Sequence, residues 1–266
     1  MLRSFVDGAI FGEVEAGVDN SELWVLLHGW SHSLRDFDAF CQLAVREKEF
    51  PWIARFDLPG FGNSPEPTEP IGSKGYGQLV SRAIKEVLDQ VPQNDNLKVV
   101  VVGHSFGGKV ALNLTGLDDS PLALAGLVLS GAPLIRNNKV AARPKLGFRL
   151  MRFLARHKIV SFEHMEKVRE RYGSSDYRNS KGMMREIFVK VVNEDSSPLI
   201  RKLSVPTLLL WGDGDSAAPI DVAWQARELC PRFVSVESVA GDHFVVLSDP
   251  SLLLRSVIKF SQGIGN

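Results

Sequence analysis

Cysteine, net charge and long apolar runs are all scarce in this chain, and each scarcity excludes something. Only Cys41 and Cys230 occur among 266 residues, so there is no disulfide framework. Both read as small buried hydrophobes. Lysine and arginine total 31, against 31 aspartates and glutamates. A neutral whole carries no signature of nucleic-acid binding or of attraction to a membrane surface. No segment approaches the roughly 18 consecutive apolar residues of a membrane span. The N-terminus, MLRSFVDGAIFGEVEAG, places acids and glycines where a signal peptide requires an unbroken apolar stretch, so the expected location is the cytoplasm. Internal repeats and low-complexity segments are likewise missing.

What is present is an alternation of strands and helices. Five apolar runs are continuous: Leu23–Leu27, Ile53–Phe56, Val99–Val102, Leu127–Leu129 and Thr207–Trp211. Such runs suit parallel strands covered on both faces. Residues 233–239, FVSVESV, alternate and are expected to form a further strand near an edge, and the first 16 residues an antiparallel hairpin at one edge. Leu79, Val80, Ala83, Ile84, Val87, Leu88 and Val91 make one stripe, which predicts a helix over 78–91. A C-terminal helix is expected over Leu252–Phe260. The expected fold is therefore α/β, a doubly wound, mostly parallel sheet with one insertion. The insertion is where the rhythm breaks. From 134 to 200 there is no strong strand, and 15 Lys and Arg stand against 7 Asp and Glu. This predicts a helical cap at 134–204 on a core made of 1–133 and 205–266. Overall neutrality thus hides a basic cap on an acidic core.

Residues 97–110, LKVVVVGHSFGGKV, carry the most chemistry. They read as a buried strand, a glycine turn and the start of a helix, with Ser105 at the apex. Gly103-His104-Ser105-Phe106-Gly107 matches G-x-S-x-G, in which a sharp turn projects the serine hydroxyl and the glycines relieve crowding. The same stretch, Gly103 to Lys109, also fits the phosphate-binding pattern G-x-x-x-x-G-K. That pattern needs Ser or Thr next to bind magnesium, and position 110 is Val.

A serine hydroxyl needs a base, and the base needs an orienting partner. Gly212-Asp213-Gly214-Asp215 follows the strand ending at Trp211, and Gly241-Asp242-His243-Phe244 follows the next. Both lie at carboxyl ends of strands, where open parallel sheets place their ligands. Ser105, Asp215 and His243 are therefore the candidate nucleophile, acid and base, in an order that differs from chymotrypsin and subtilisin. Asp213 competes for the acid role. The candidate oxyanion donors are the backbone amides of Phe106 and of Trp30, which follows His28-Gly29. His28 is read as a hydrogen-bonding support for that loop, and His104 as pointing beneath the elbow. His32 either lines the pocket or faces solvent. His157 and His164 are read as surface residues of the cap, Asp57 as a loop former and Asp242 as a turn former.

HGW at 28–30, DLPGFGNS at 57–64, GHSFGG at 103–108, WGDGD at 211–215 and GDHF at 241–244 together resemble the α/β-hydrolase superfamily over nearly the whole chain. The resemblance implies a serine hydrolase without cofactor or metal, acting on a small-molecule carboxylic ester or thioester through an acyl-enzyme on Ser105. It implies neither a nucleic-acid partner nor a membrane span. Serine, not aspartate, at 105 argues against a dehalogenase or epoxide hydrolase. The HGW and DLPGFG motifs also resemble esterases of pimeloyl–acyl carrier protein methyl ester. In those, cap arginines contact an acidic carrier, whereas GHSFGG departs from the tryptophan they often have before the serine. In 146–156, Leu146, Leu150, Phe153 and Leu154 share one helical face, and Arg149, Arg152 and Arg156 share the other. That basic face is either solvated or a site for an acidic or carrier-bound substrate. Two further classes share these residues: a cofactor-free carbon–carbon bond hydrolase or lyase, and a slow-turnover ligand-binding receptor.

Overall fold

The computed structural model describes residues 1–48, 50–92, 97–117, 122–136 and 175–264. The stretch 146–156 with its arginines, together with His157 and His164, lies outside the described residues.

Eight strands form one sheet: β1 Leu2–Phe5, β2 Ile10–Glu15, β3 Asp19–Leu27, β4 Pro51–Asp57, β5 Lys98–His104, β6 Leu124–Ser130, β7 Thr207–Gly212 and β8 Val234–Val239. Their spatial order is β1-β2-β4-β3-β5-β6-β7-β8. β1 and β2 form the expected antiparallel hairpin, and β2 joins β4 antiparallel. From β4 through β8 every pairing is parallel. Six carboxyl ends therefore open on one edge, and the loops that carry the motifs all emerge there.

The central strands read as unbroken apolar runs because the sheet is buried on both faces. Val25, Leu27, Val99 and Val101 point into one core with Tyr76, Val80, Ile84 and Val110. Trp24, Leu26, Val100 and Val102 point into the other with Phe37, Phe40, Leu253 and Val257. Side chains alternate between faces, so adjacent residues of one strand serve different cores. β8 alternates because it is the edge strand, paired only with β7 and half-buried along most of its length.

The helix expected over 78–91 runs instead from Ser73 to Leu88, with Val91 buried in the turn that follows. Its start is set from a distance: the Glu194 carboxylate accepts from the Ser73 amide at 3.0 Å. No local sequence signal announces such a cap. Between β6 and β7 the described residues hold only helices, at Ser175–Asn179, Gly182–Asn193 and Ser197–Ile200.

The helix after β5, Phe106–Leu114, is seated directly on β3. A Cβ on Gly107 would lie 2.2 Å from the Leu27 carbonyl oxygen, and one on Gly103 would lie 2.6 Å from the Gly107 carbonyl oxygen and the Gly108 backbone. Both obstacles are backbone atoms that cannot rotate away. We expect Gly107→Ala to lose about 3 kcal/mol or more of stability in urea titration, the upper range for overpacking. A loss below about 1 kcal/mol would show that the helix can slide off the strand.

Candidate active site

The strand–turn–helix at 98–114 presents Ser105 at its apex. Ser105 has φ 52° and ψ −115°, outside the regions open to a residue with a Cβ. Such strain costs on the order of 1–3 kcal/mol and persists only where the surroundings over-determine it. Here they do. The Ser105 amide donates to the Ser130 carbonyl at 2.7 Å, and its own carbonyl accepts from Gly108 and Lys109 at 3.1 and 3.2 Å. Phe106 opens the helix, so its amide has no intrahelical acceptor and lies at the positive end of the dipole.

Lys109, which raised the phosphate-loop reading, is otherwise engaged. It is 1% exposed, and its ammonium donates to the Val191 and Glu194 carbonyls at 2.7 and 3.0 Å. Burial pulls it down to about 8. It fastens the C-terminal end of helix 182–193 to the helix behind the serine, away from any phosphate.

Of the two carboxylates after β7, Asp215 is the one joined to His243. Its Oδ2 lies 2.7 Å from His243 Nδ1. Its Oδ1 accepts from the Ala217 and Ala218 amides, both at 2.8 Å. Buried and held by two backbone donors, the carboxylate has a fixed orientation. Nδ1–H donating to it leaves Nε2 as the acceptor on the ring, the tautomer a general base requires. Asp213 is exposed and accepts from the Gly241 amide at 3.2 Å. Asp242 is a turn former, with its Oδ1 accepting from the Phe244 amide at 2.9 Å.

His104 is buried, and its ring lies against that of His243, with the two centroids 4.9 Å apart. Gly131 was not foreseen from the sequence. It follows β6 at φ 56°, and a Cβ there would fall 2.8 Å from His243 Cε1 and 3.2 Å from Asp215 Oδ2. A glycine directly after an apolar run ending in Ser130 was the available signal.

The loop after β3 carries Trp30. His28 is fully buried, with Nε2 accepting from the Leu58 amide at 2.9 Å and Nδ1 facing the Gly29 carbonyl at 2.7 Å. The first bond requires a bare Nε2, so Nδ1 carries the proton and donates to Gly29. His28 thus ties the loops after β3 and β4 together. Asp57 completes the tie, accepting from the Leu34 and Asn63 amides, both at 2.8 Å. A Cβ on Gly29 would lie 3.4 Å from Ser105 Cβ, so this loop passes directly beside the serine. The Trp30 indole packs edge-on against Phe61, Phe106 and Phe188, and its Nε1–H donates to Ser180 Oγ at 3.2 Å. His32, left open by the sequence, lies on the rim of this loop with its Nδ1 2.7 Å from Asp36 Oδ2.

Two of these histidines are neutral because burial disfavours their charged form. His28 is pulled down from 6.5 to about 4, and His104 from 6.5 to about 3. The unfolded chain takes up both protons near pH 6.5 and the folded chain does not. Stability is therefore complete above that pH and falls as pH drops toward 4, by roughly 3 kcal/mol for His28 alone. Urea midpoints measured from pH 7 to 4 should decline, with a shallower slope in His104→Gln. A flat wild-type profile over that window would contradict the burial of neutral imidazoles.

Over 244 residues the chain is 25% identical to a 2-hydroxy-6-oxononadienedioate/2-hydroxy-6-oxononatrienedioate hydrolase of a Pseudomonas species, covering 81% of this chain and 80% of that one. It is 25% identical to the pimeloyl-[acyl-carrier protein] methyl ester esterase of Pectobacterium atrosepticum, covering 96% and 99%. Among solved structures, an esterase from Exiguobacterium antarcticum superposes with a TM-score of 0.68 at 18% identity, covering 98% of this chain and 99% of that one. The sequence profile of the Alpha/beta hydrolase family matches residues 24–255. On that match, which spans all of the loops just described, the chain belongs to the alpha/beta hydrolase family.

Proposed function

We propose that this chain is a serine hydrolase cleaving a carboxylic ester or thioester, with Ser105, Asp215 and His243 as its triad. The observation that carries this reading is the Asp215–His243 pair at 2.7 Å, its carboxylate buried, set on the same sheet edge as a serine held at positive φ. In the proposed reaction His243 Nε2 removes the Ser105 proton as Oγ attacks the carbonyl carbon. The tetrahedral oxyanion is held by the amides of Phe106 and Trp30, each of the kind that contributes about 2.7–4 kcal/mol to the transition state. Asp215 holds the imidazole and stabilises its cation. His243 then protonates the departing alcohol or thiol, and water repeats the sequence on the acyl-enzyme. In this reading residues 134–204 are a cap over the site, shielding the reaction and shaping the acyl pocket.

A carbon–carbon bond hydrolase using the same residues is the second reading. The similarity to oxononadienedioate hydrolases, one of them 26% identical over 230 residues in Klebsiella pneumoniae, favours it specifically. Product analysis on esters and on β-diketones separates the two.

Hydrolysis of p-nitrophenyl esters from acetate to palmitate tests the assignment. Ser105→Ala should lower kcat by about 10⁴-fold or more while the urea midpoint is retained. A folded Ser105→Ala enzyme keeping most of its rate would remove serine from the mechanism. Asp215→Asn should cost on the order of 10³–10⁴-fold and Asp213→Asn less than about 3-fold. The reverse ranking would transfer the acid role to Asp213.

A further inference from the structure

Beside the proposed triad lies a second aspartate–histidine pair that the mechanism leaves unused. His32 Nδ1 is 2.7 Å from Asp36 Oδ2, the same separation as in the His243–Asp215 pair. Its ring is not remote from the chemistry. A Cβ on Gly29 would touch Ser105 Cβ at 3.4 Å and His32 Cδ2 at 3.8 Å, so serine and ring border one patch of backbone. On its other side the His32 ring meets Phe244, the residue after the proposed base, at 5.6 Å between centroids. With Nδ1 given to Asp36, the edge turned toward Gly29 is Cδ2, and Nε2 is its neighbour in the ring. About a third of the side chain is exposed, so a small molecule can reach it.

The charged groups around His32 come from two elements. The Asp36 carboxylate lies against its Nδ1, and Asp176 faces it from helix 175–179; both favour its cation and hold it above the ordinary 6.5. Partial burial opposes them. His28 and His104 also face it, and both are neutral above about pH 4. In its charged form His32 carries an Nε2–H donor on the rim of the site.

We infer that His32, held by Asp36, is a substrate-recognition residue that donates to a free carboxylate a few bonds from the scissile carbonyl. The substrate class is the hemiester of a short dicarboxylic acid. This inference rests on the serine hydrolase reading above and adds the identity of the group recognised beside the ester.

The test compares two methyl esters of equal length, monomethyl succinate and methyl 4-oxopentanoate, with the full chain from about pH 6 to 8.5. The succinate carboxyl, of ordinary pKa near 4, stays ionised throughout. Any pH dependence of the shared chemical steps affects both substrates alike and cancels in the ratio of kcat/KM. The wild type should prefer the hemiester by about 10-fold or more at the acid end, the size expected of a hydrogen bond between charged partners. The preference should fade as pH rises and His32 loses its proton. His32→Gln should bring the ratio within about 3-fold of unity at every pH, with the change in KM. Asp36→Asn should move the fading to lower pH, which a purely structural role would not do. Ser105-dependent hydrolysis of both esters at equal rates, or a preference unchanged in His32→Gln, overturns the recognition role alone. If no ester is cleaved in a Ser105-dependent way, p-nitrophenyl esters included, the hydrolase reading fails and the inference falls with it.

Discussion

Contact between the backbone of helix 106–114 and the end of β3 is the constraint on which the rest of the site depends. Gly107 lies against the Leu27 carbonyl with no room for a methyl group. Because the helix is drawn in that far, the chain must turn sharply between β5 and the helix, and Ser105 takes up the strain at φ 52°. The same approach brings the helix N-terminus beside the loop that leaves β3. Gly29 consequently passes next to Ser105, and the amides of Phe106 and Trp30 come from two segments that are far apart in sequence. A looser helix would relax the serine and separate those amides at once. Tight packing here serves geometry as much as stability.

Electrostatics at this edge rest on keeping two buried histidines neutral. His28 lies among backbone groups that require one donor and one acceptor, and burial keeps it uncharged. His104 is buried against the proposed base and is likewise uncharged. His32 and His243 instead each face an aspartate at 2.7 Å. A charged imidazole between them would raise the cost of forming the imidazolium on His243, so the neutrality of His104 favours the proposed base. For His28 and His104 burial excludes the charged form, whereas at His32 the carboxylates favour it.

Lys109 and Glu194 perform a different task with similar means. Lysine supplies a buried ammonium to the carbonyls at the end of helix 182–193, and Glu194 caps the helix that starts at Ser73. Trp30 joins the same region through Phe188 and Ser180. The described part of the segment between β6 and β7 is thus fastened to both helices behind the serine and to the loop beside it. Movement of this segment would be felt at Trp30, hence at one of the two proposed oxyanion donors.

Much of this was legible in the sequence by itself. Continuous apolar runs marked the buried parallel strands, since both faces of the sheet need hydrophobic cover, and the alternating 233–239 marked the edge. The serine turn was legible because its glycines answer a local steric demand, and the positions of Asp215 and His243 followed from strand ends. Tertiary structure alone decided everything that depends on distant segments meeting. The start of the helix at Ser73 needed Glu194, and the fate of Lys109 needed the carbonyls of 191 and 194. Gly131 and His32 acquire meaning only from the rings beside them. Local sequence encodes the period of burial and the strain of a turn, because both act between near neighbours. Partnership between charges and close contact between backbones are fixed only once the sheet has ordered its strands.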